Sequence, residues 1–272
     1  MVGALGLVGG AGALPGLMAR EARRAGWRVI AFALDDPAAL GDLADVVVPC
    51  RPGEVGPVLE ALTREGIRHV VLAGRVWKDG LFHGAALDER ARALLSRSPD
   101  WTDEGLLRTA TSALEAMGIE LLDQRRFLAP WLAPSGHIAG PLADARVMGD
   151  VERGLAVARR LAEEGIGQTI VMRAGAVVAV EAMEGTDETV RRGLSLAGGG
   201  AVVVKATGPA HDYRFDVPAV GRATLTLCIE GEAAVLAVEA GRVLLVDREA
   251  VQAEAERAGV SVVGVAGNPG IG

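Results

Sequence analysis

The sequence predicts an α/β fold in two domains, a parallel-sheet domain over residues 1–130 and a second α/β domain over residues 131–272. Short apolar runs alternate with amphipathic stretches along the first half of the chain. A stretch with three prolines and no periodicity, residues 125–142, interrupts this alternation and is predicted to connect the domains. Apolar runs and helical patterns then resume in a different order, so the second half is not a repeat of the first.

Four apolar runs predict buried strands in the N-terminal domain, and they lie at residues 4–10, 28–34, 45–50 and 69–74. Two helical patterns lie between these runs and end at Gly26 and Gly66, which suit helix C-caps. Two more helical patterns follow in residues 87–122. The alternation of strands and helices predicts a Rossmann-like parallel sheet covered by helices.

The second domain shows helical and strand patterns in turn. They predict a helix, a two-strand hairpin, a capped helix, a strand and a closing strand-helix-strand unit, at residues 144–165, 168–184, 185–196, 201–206 and 242–265. Residues 223–234 are ambiguous, because their composition favours a strand while a helix also fits.

Composition narrows the class of function. The net charge is −7 and the sequence pI is about 5.3, so we expect no nucleic-acid partner. Cys50 and Cys228 lie far apart and form no metal-type pair, which predicts a reduced cytoplasmic setting. No apolar run reaches the length of a membrane span, and the N-terminus lacks the basic start of a secretion signal. We expect a soluble protein, for which contact with a membrane surface stays open.

A glycine-rich loop stands between the first predicted strand and the first predicted helix. Gly9, Gly10 and Gly12 would let the backbone approach a phosphate, and the helix N-terminus offers free N–H groups. Asp35 fits the ribose-binding acid of a dinucleotide site, but Pro15 stands where that pattern has its third glycine. The loop therefore fits either a tight turn or a ligand contact. A nicotinamide-dependent oxidoreductase is one alternative function.

Basic residues follow the fourth predicted strand. Arg75 and Lys78 lie at the carboxyl end of the sheet, where open α/β folds bind ligands. They fit either a phosphate contact or ordinary surface charge.

Acidic residues follow the predicted hairpin. Glu181 and Glu184 lead into a helix that begins with Thr186 and Asp187. Metal or substrate binding is one interpretation of these residues. The other is a solvated surface, with Thr186 and Asp187 as helix caps.

The most polar stretch of the chain begins at Lys205. Asp212 and Asp216 carry the oxygen ligands that suit Mg²⁺, an ion usually held by one or two carboxylates and substrate phosphates. Lys205 ends a predicted strand, where it can neutralise phosphate charge. The alternative is that the two aspartates form surface ion pairs with Arg214 or Arg222. The residues alone thus suggest Mg²⁺-assisted phosphate chemistry.

Six runs carry a resemblance to a known family, and they span nearly the whole chain: "LGLVGGAGALP", "LAGRV", "IGQTIVMRAGAVVAVEAMEGTDETVRR", "VVVKATGP", "DYRFDVPAVG" and "AGRVLLVDREAV". They resemble the LpxI-type UDP-2,3-diacylglucosamine pyrophosphatases of lipid A synthesis in Gram-negative bacteria. The resemblance is densest in the second half of the chain.

The resemblance implies a two-domain hydrolase that has its active site in the cleft between the domains and works as a homodimer with Mg²⁺ or Mn²⁺. It implies hydrolysis of UDP-2,3-diacylglucosamine to UMP and 2,3-diacylglucosamine 1-phosphate, with water attacking the α-phosphorus. The lipid substrate implies peripheral contact with the cytoplasmic face of the inner membrane. A non-catalytic protein that binds a sugar-nucleotide lipid is the second alternative.

The family's essential aspartate falls on Asp216, which the resemblance implies as the catalytic residue and, with Asp212, as a metal ligand. Whether Asp216 holds the ion or takes a proton from water is open at this stage. The residues assigned to substrate binding are Gly12, Ala13, Gly74, Arg75, Gln168, Glu184, Thr186, Asp187 and Lys205.

Overall fold

The structure is a computed structural model that describes residues 3–75, 87–98 and 103–267. The described chain forms two compact units. The first unit runs up to Leu128 and also takes in Asp212–Asp216. The second unit comprises Ala129–His211 and the chain from Val217 onward.

The first unit is built on a five-stranded parallel sheet. Its strands are β1 (Gly3–Gly9), β2 (Trp27–Ala33), β3 (Val46–Pro49), β4 (His69–Ala73) and β5 (Glu120–Leu121). They lie in the order β3-β2-β1-β4-β5, and neighbouring strands pair in parallel. This is a Rossmann-like order, which confirms the predicted fold class of the N-terminal part.

Helices cover this sheet. They are α1 (Leu14–Arg24), α2 (Gly56–Arg64), α3 (Glu89–Leu95), α4 (Asp103–Ala116) and α5 (Arg125–Leu128). In α1 the residues Leu17, Met18 and Ala22 recur at helical spacing and are buried. Gly26 follows this helix at φ +86°, a conformation that ends a helix readily.

The second unit contains a six-stranded mixed sheet. Its strands are β6 (Gly136–Ala139), β7 (Thr169–Arg173), β8 (Ala176–Val180), β9 (Val202–Lys205), β11 (Val235–Glu239) and β13 (Ser261–Val265). The order is β6-β13-β11-β9-β7-β8, with β9, β11 and β13 parallel and the pairings of β6, β7 and β8 antiparallel. Two short strands, β10 (Ala219–Val220) and β12 (Leu244–Leu245), form a separate parallel pair.

Helices lie against both faces of the six-stranded sheet. They are α6 (Ala145–Glu163), α7 (Thr186–Ala197), α8 (Arg222–Glu230) and α9 (Arg248–Ala258). Strand β9 shows why two layers are needed, because Val203 packs into one apolar cluster while Val202 and Val204 pack into another. No helix among the described residues is long and apolar enough to cross a membrane.

The structure adds to the sequence prediction at three places in the second unit. The stretch 223–234, which was ambiguous between strand and helix, belongs mostly to the helix α8, because Thr224, Leu225 and Cys228 lie on one helical face and are buried. The central strand β11 was not predicted, since its apolar run directly follows that ambiguous stretch. The predicted connection at 125–142 contains the edge strand β6.

Gly193 of α7 allows this helix to approach the sheet closely, and Gly149 of α6 provides a matched control. A Cβ at Gly193 would lie 2.5 Å from Val171 Cγ2 and 2.7 Å from Val171 Cβ, so we expect Gly193→Ala to lower the free energy of unfolding by about 2 kcal/mol. Gly149 is exposed, and a Cβ there meets nothing within 4 Å. Gly149→Ala should therefore raise the free energy of unfolding by about 0.5 kcal/mol. Urea denaturation followed by circular dichroism measures both, and a stabilised Gly193→Ala variant contradicts the packing.

Candidate active site

Strand register brings a cation beside a hydroxyl group in the second unit. Lys205 is the last residue of β9 and Thr169 is the first residue of β7, and the antiparallel register pairs them. The Lys205 side chain is buried, with 5% exposure, and its Nζ lies 3.4 Å from Thr169 Oγ1. A buried ammonium is costly unless oxygen atoms accept its hydrogen bonds, so its neighbours determine whether it can exist there as a cation.

Thr186 and Glu181 complete a group that we name the Lys205 cluster: Lys205, Thr169, Thr186 and Glu181. The Lys205 ammonium donates to Thr186 Oγ1 at 2.6 Å. The Thr186 hydroxyl donates to Glu181 Oε1 at 2.9 Å. The backbone N–H of Gln168 donates to Glu181 Oε2 at 3.2 Å. Hydrogen bonds thus link the Lys205 ammonium to the Thr186 hydroxyl and the Thr186 hydroxyl to the Glu181 carboxylate.

The helix-cap interpretation of Thr186 and Asp187 is wrong. The N-cap of α7 is Gly185, at φ +80°, and no side chain caps this helix. Glycine adopts this conformation without strain, which lets the chain enter the helix sharply. The Thr186 hydroxyl is directed to Glu181 and Lys205 instead, so a cap does not account for this threonine.

Glu181 carries a perturbed pKa. Burial acts to raise the pKa of this carboxyl, but the Lys205 ammonium and the hydrogen bonds from Thr169, Thr186 and the Gln168 N–H outweigh it and lower the pKa below its ordinary value. The carboxylate is therefore ionised at neutral pH, where it faces a buried cation.

The remaining predicted residues of the second unit lie around the cluster. The Gln168 carbonyl accepts the N–H of Ala206 at 2.9 Å, which ties this residue to the end of β9. Glu184 is exposed, and one of its oxygens accepts Arg192 at 2.6 Å. Its own backbone N–H and Arg192 lower the pKa of Glu184. Asp187 is exposed in the first turn of α7. The structure thus joins Thr186 to Lys205 directly and links Gln168 to Thr186 through Glu181. Glu184 instead pairs with Arg192, and Asp187 is exposed.

Glu239 is a functional candidate that the sequence analysis missed. It ends β11, is fully buried, and accepts hydrogen bonds from Arg159 Nε at 2.9 Å and from the Thr207 N–H at 2.9 Å. Arg242 Nε lies 3.3 Å from the same carboxylate, and this arginine also donates to the Gly208 carbonyl. The network therefore holds the loop that follows Lys205. Its sequence signal was a carboxylate at the end of an apolar run.

The segment Asp212–Asp216 is anchored in the first unit by its aromatic residues. Tyr213 is buried, and its carbonyl accepts the N–H of Gln124 at 3.1 Å. The Arg125 guanidinium lies 3.8 Å from the centroid of the Tyr213 ring. Phe215 packs against the apolar cluster of the parallel sheet. These contacts fix the backbone on both sides of Arg214.

The two aspartates of this segment have different surroundings. Arg214 Nε lies 3.1 Å from both oxygens of Asp212, and its Nη2 lies 2.7 Å from Oδ2. The ion-pair alternative is therefore realised for Asp212. Asp216 ends the segment and is exposed. Arg222, the other proposed partner, donates to Glu254 at 2.8 Å.

The glycine-rich loop of the first unit is bonded to the chain that follows β4. The N–H of Gly10 donates to the Ala73 carbonyl at 2.9 Å, and the N–H of Ala11 donates to the Arg75 carbonyl at 2.8 Å. In a dinucleotide-binding loop such N–H groups face the pyrophosphate. Here both N–H groups already donate to carbonyl groups of the chain at the end of β4, which disfavours the alternative function of a nicotinamide-dependent oxidoreductase.

Of the residues predicted to bind a ligand in the first unit, Gly12, Ala13 and Arg75 are exposed, whereas Gly74 is closely packed. Gly12 and Ala13 are exposed at the start of α1, where a ligand can reach them. Gly74, at φ +82°, allows a close approach, because a Cβ there would lie 2.7 Å from the Ala11 carbonyl oxygen. Arg75 is exposed, and Lys78 lies outside the described residues.

Asp212 and Asp216, the predicted metal ligands, differ in how well they suit Mg²⁺. In the part of the chain that the structure describes, no three His, Cys, Asp or Glu side chains come together as a metal site. Mg²⁺ requires only one or two protein carboxylates when water and substrate phosphates complete its shell. Exposed Asp216 fits that role, whereas Asp212 must first release Arg214.

These features define a class of α/β protein in which a Rossmann-like unit is followed by a second unit with a buried lysine at a strand end. Residues 4–131 match the family described as the LpxI N-terminal domain, and residues 134–263 match the LpxI C-terminal domain. The chain therefore belongs to the LpxI family, as its sequence runs predicted.

A curated relative and a solved structure were also found. The UDP-2,3-diacylglucosamine pyrophosphatase LpxI of Caulobacter vibrioides is 35% identical over 280 residues, which cover 96% of this chain and 97% of the relative. A crystal structure of N5-carboxyaminoimidazole ribonucleotide synthetase from Thermotoga maritima is 16% identical, with a TM-score of 0.24. That match covers 66% of this chain and 41% of the synthetase chain, and it supports no comparison of fold or function.

The Glu239 network should be a major source of stability. Glu239→Gln leaves the Arg159 and Arg242 cations without their shared buried anion, so we expect the free energy of unfolding to fall by about 3 kcal/mol. Urea denaturation measures this loss. Glu230→Gln, at an exposed position that ends α8, is the control and should change stability by less than about 0.5 kcal/mol. Equal effects of the two substitutions contradict the network's role.

The lowered pKa of Glu181 predicts an acid-sensitive contribution to stability. At pH 7 we expect Glu181→Gln to lower the free energy of unfolding by about 2 kcal/mol, because a hydrogen-bonded carboxylate is lost. The contribution is fully present above the ordinary carboxyl pKa of about 4.3 and disappears as pH falls through the lower pKa of the folded state. Denaturation of parent and variant between pH 7 and pH 3 measures the difference. If the difference in free energy of unfolding between parent and variant does not change with pH, the Glu181 charge does not contribute to stability as predicted.

Proposed function

We propose that this chain hydrolyses the pyrophosphate of UDP-2,3-diacylglucosamine to UMP and 2,3-diacylglucosamine 1-phosphate. The match over nearly the full length of both chains to a relative named for this activity carries the proposal. As a member of the LpxI family, the chain is an enzyme of the hydrolase class.

The Lys205 cluster supports a contact with the substrate phosphates. An ammonium and the N-terminus of a twelve-residue helix, α7, lie together at the end of β9. Both favour anions, the first by its charge and the second by its free N–H groups and dipole. We assign Lys205, Thr186 and Gln168 to this contact, with Glu184 and Asp187 beside it. Gly12, Ala13, Gly74 and Arg75 are assigned to binding in the first unit.

We assign the chemistry to Asp216, which is exposed at the end of a segment anchored by Tyr213 and Phe215. Water forms a new bond to the α-phosphorus, the bond from this phosphorus to the bridging oxygen breaks, and the released proton passes to a carboxylate or to solvent. A bound Mg²⁺ or Mn²⁺ supplies positive charge that neutralises the phosphates. Asp216 would hold this ion together with substrate oxygens. Asp212 would contribute only after it releases Arg214.

The substrate's acyl chains require apolar surface, and the second unit exposes large apolar side chains. Met183 and Leu142 are 98% and 81% exposed. We propose that these side chains contact the lipid surface that holds the substrate. The homodimer remains a prediction of the family resemblance, and the cytoplasmic setting remains a prediction from the two separated cysteines.

The proposal is tested by UMP release from UDP-2,3-diacylglucosamine in the presence of Mg²⁺. We expect Asp216→Ala to lower kcat by about 100-fold or more, because the substitution removes the group that handles the ion or the proton. Asp42→Ala removes an exposed aspartate of the same unit outside the polar segment, and it should stay within about twofold of the parent. Chelation should abolish release, and added Mg²⁺ or Mn²⁺ should restore it.

Other outcomes decide against parts of this proposal. Substrate binding without UMP release by the parent favours the non-catalytic alternative. Full activity of a folded Asp216→Ala variant moves the catalytic centre to another residue. Tight binding of NADH revives the oxidoreductase alternative.

A further inference from the structure

Glu181 has no assigned part in binding, metal or chemistry, yet it is coupled to Lys205 through a single hydroxyl. We propose that Glu181 is the positioning residue of Lys205. Its carboxylate provides a hydrogen-bonded counter-charge to the buried ammonium, and through Thr186 it directs that ammonium toward a phosphate. This inference rests on the proposed function, in which Lys205 meets the substrate phosphate.

Burial makes an anion necessary. With 5% exposure, the Lys205 ammonium receives little stabilisation from water, so a charge at this position is costly without an anionic partner. A neutral amine would neither attract a phosphate nor stabilise charge that develops on it. The Glu181 carboxylate, one hydroxyl away, offsets the cost of holding the charge before substrate arrives.

The hydroxyl geometry gives Glu181 a second effect. Thr186 has one hydroxyl hydrogen, and Glu181 accepts it, so an oxygen lone pair of Thr186 is left for Lys205. Glu181 is itself fixed, because its other oxygen accepts the Gln168 N–H. Two of the three ammonium hydrogens are directed to Thr186 and Thr169, and the third is committed to neither hydroxyl. The chain of bonds therefore sets the direction of the ammonium.

The elements that pack against β9 and the loops that adjoin them carry other charged groups, each of which is either paired or exposed. They are Glu184 just before α7, Asp187 in its first turn, Glu239 on β11, Arg242 after it, and Arg159 and Glu163 on α6. Glu184 accepts a hydrogen bond from Arg192, and Glu239 accepts one from Arg159. Asp187 and Glu163 are exposed, where water screens their charge. Glu181 is the carboxylate whose hydrogen bonds lead to Lys205.

The first test is the pH profile of UMP release by the parent, Glu181→Gln and the control Glu188→Gln. Glu188 lies in the first turn of α7, is exposed and pairs with Arg191. We expect Glu181→Gln to lower kcat/KM about 10- to 100-fold. We also expect the alkaline limb of its profile to lie at lower pH than that of the parent, because the ammonium has lost its counter-charge. Glu188→Gln should stay within about twofold, with the limb unmoved.

The second test does not require turnover. Lys78 and Lys205 are the only lysines in the sequence, so Lys78→Arg leaves Lys205 as the sole lysine. With [ε-¹³C]lysine, its NMR signal reports this ammonium alone. We expect the signal to change over a lower pH range in Glu181→Gln than in its Lys78→Arg parent.

The outcomes separate the two ideas. Absence of UMP release from the parent defeats the proposed function, and the NMR signal still decides whether Glu181 controls Lys205. An unmoved alkaline limb together with an unmoved NMR signal overturns the positioning role. If Glu181→Gln does not fold, Thr186→Val keeps both charges and removes the hydroxyl bridge. That variant should lose about tenfold in kcat/KM, and unchanged activity overturns the proposal.

Discussion

A lysine that ends a buried strand must find oxygen partners, and much of the second unit is arranged to supply them. The antiparallel register sets Thr169 beside Lys205, and Gly185 turns the chain so that α7 begins with Thr186 at the ammonium. Glu181, brought back by the hairpin of β7 and β8, provides the anion. The strand register, the turn at Gly185 and the start of α7 thus place their polar groups around the Lys205 ammonium. The N-terminus of α7 lies beside this ammonium, and both groups favour a phosphate.

The chain between Lys205 and Asp216 is held at both ends by different means. In the second unit, the buried Glu239 carboxylate binds the Thr207 N–H and thereby fixes the loop that leaves β9. In the first unit, the Arg125 guanidinium lies over the Tyr213 ring and Phe215 packs against the apolar cluster of the sheet, and these contacts fix the segment that ends at Asp216. An exposed carboxylate on an anchored backbone suits a group that must meet a substrate in one orientation.

Local patterns predicted most of the fold. Alternating apolar runs predicted that the first sheet is parallel, although not its strand order or its fifth strand, and the polar stretch from Lys205 indicated Asp216 as a candidate. Strand β11 was not predicted for two reasons. It is buried on both faces, so its sequence does not alternate between apolar and polar residues, and the preceding helix α8 contains β-branched residues that favour a strand. The roles of Glu181 and Glu239 depend on which strands are neighbours in the sheet. Sequence spacing does not contain that information, so these contacts required the structure.

The most direct test of the central claim is hydrolysis of UDP-2,3-diacylglucosamine in ¹⁸O-labelled water with Mg²⁺, followed by mass spectrometry of both products. Attack on the α-phosphorus predicts one ¹⁸O atom in UMP and none in 2,3-diacylglucosamine 1-phosphate. Label in the lipid phosphate would place the attack on the other phosphorus and contradict the proposed chemistry. Absence of both products would contradict the proposed activity itself.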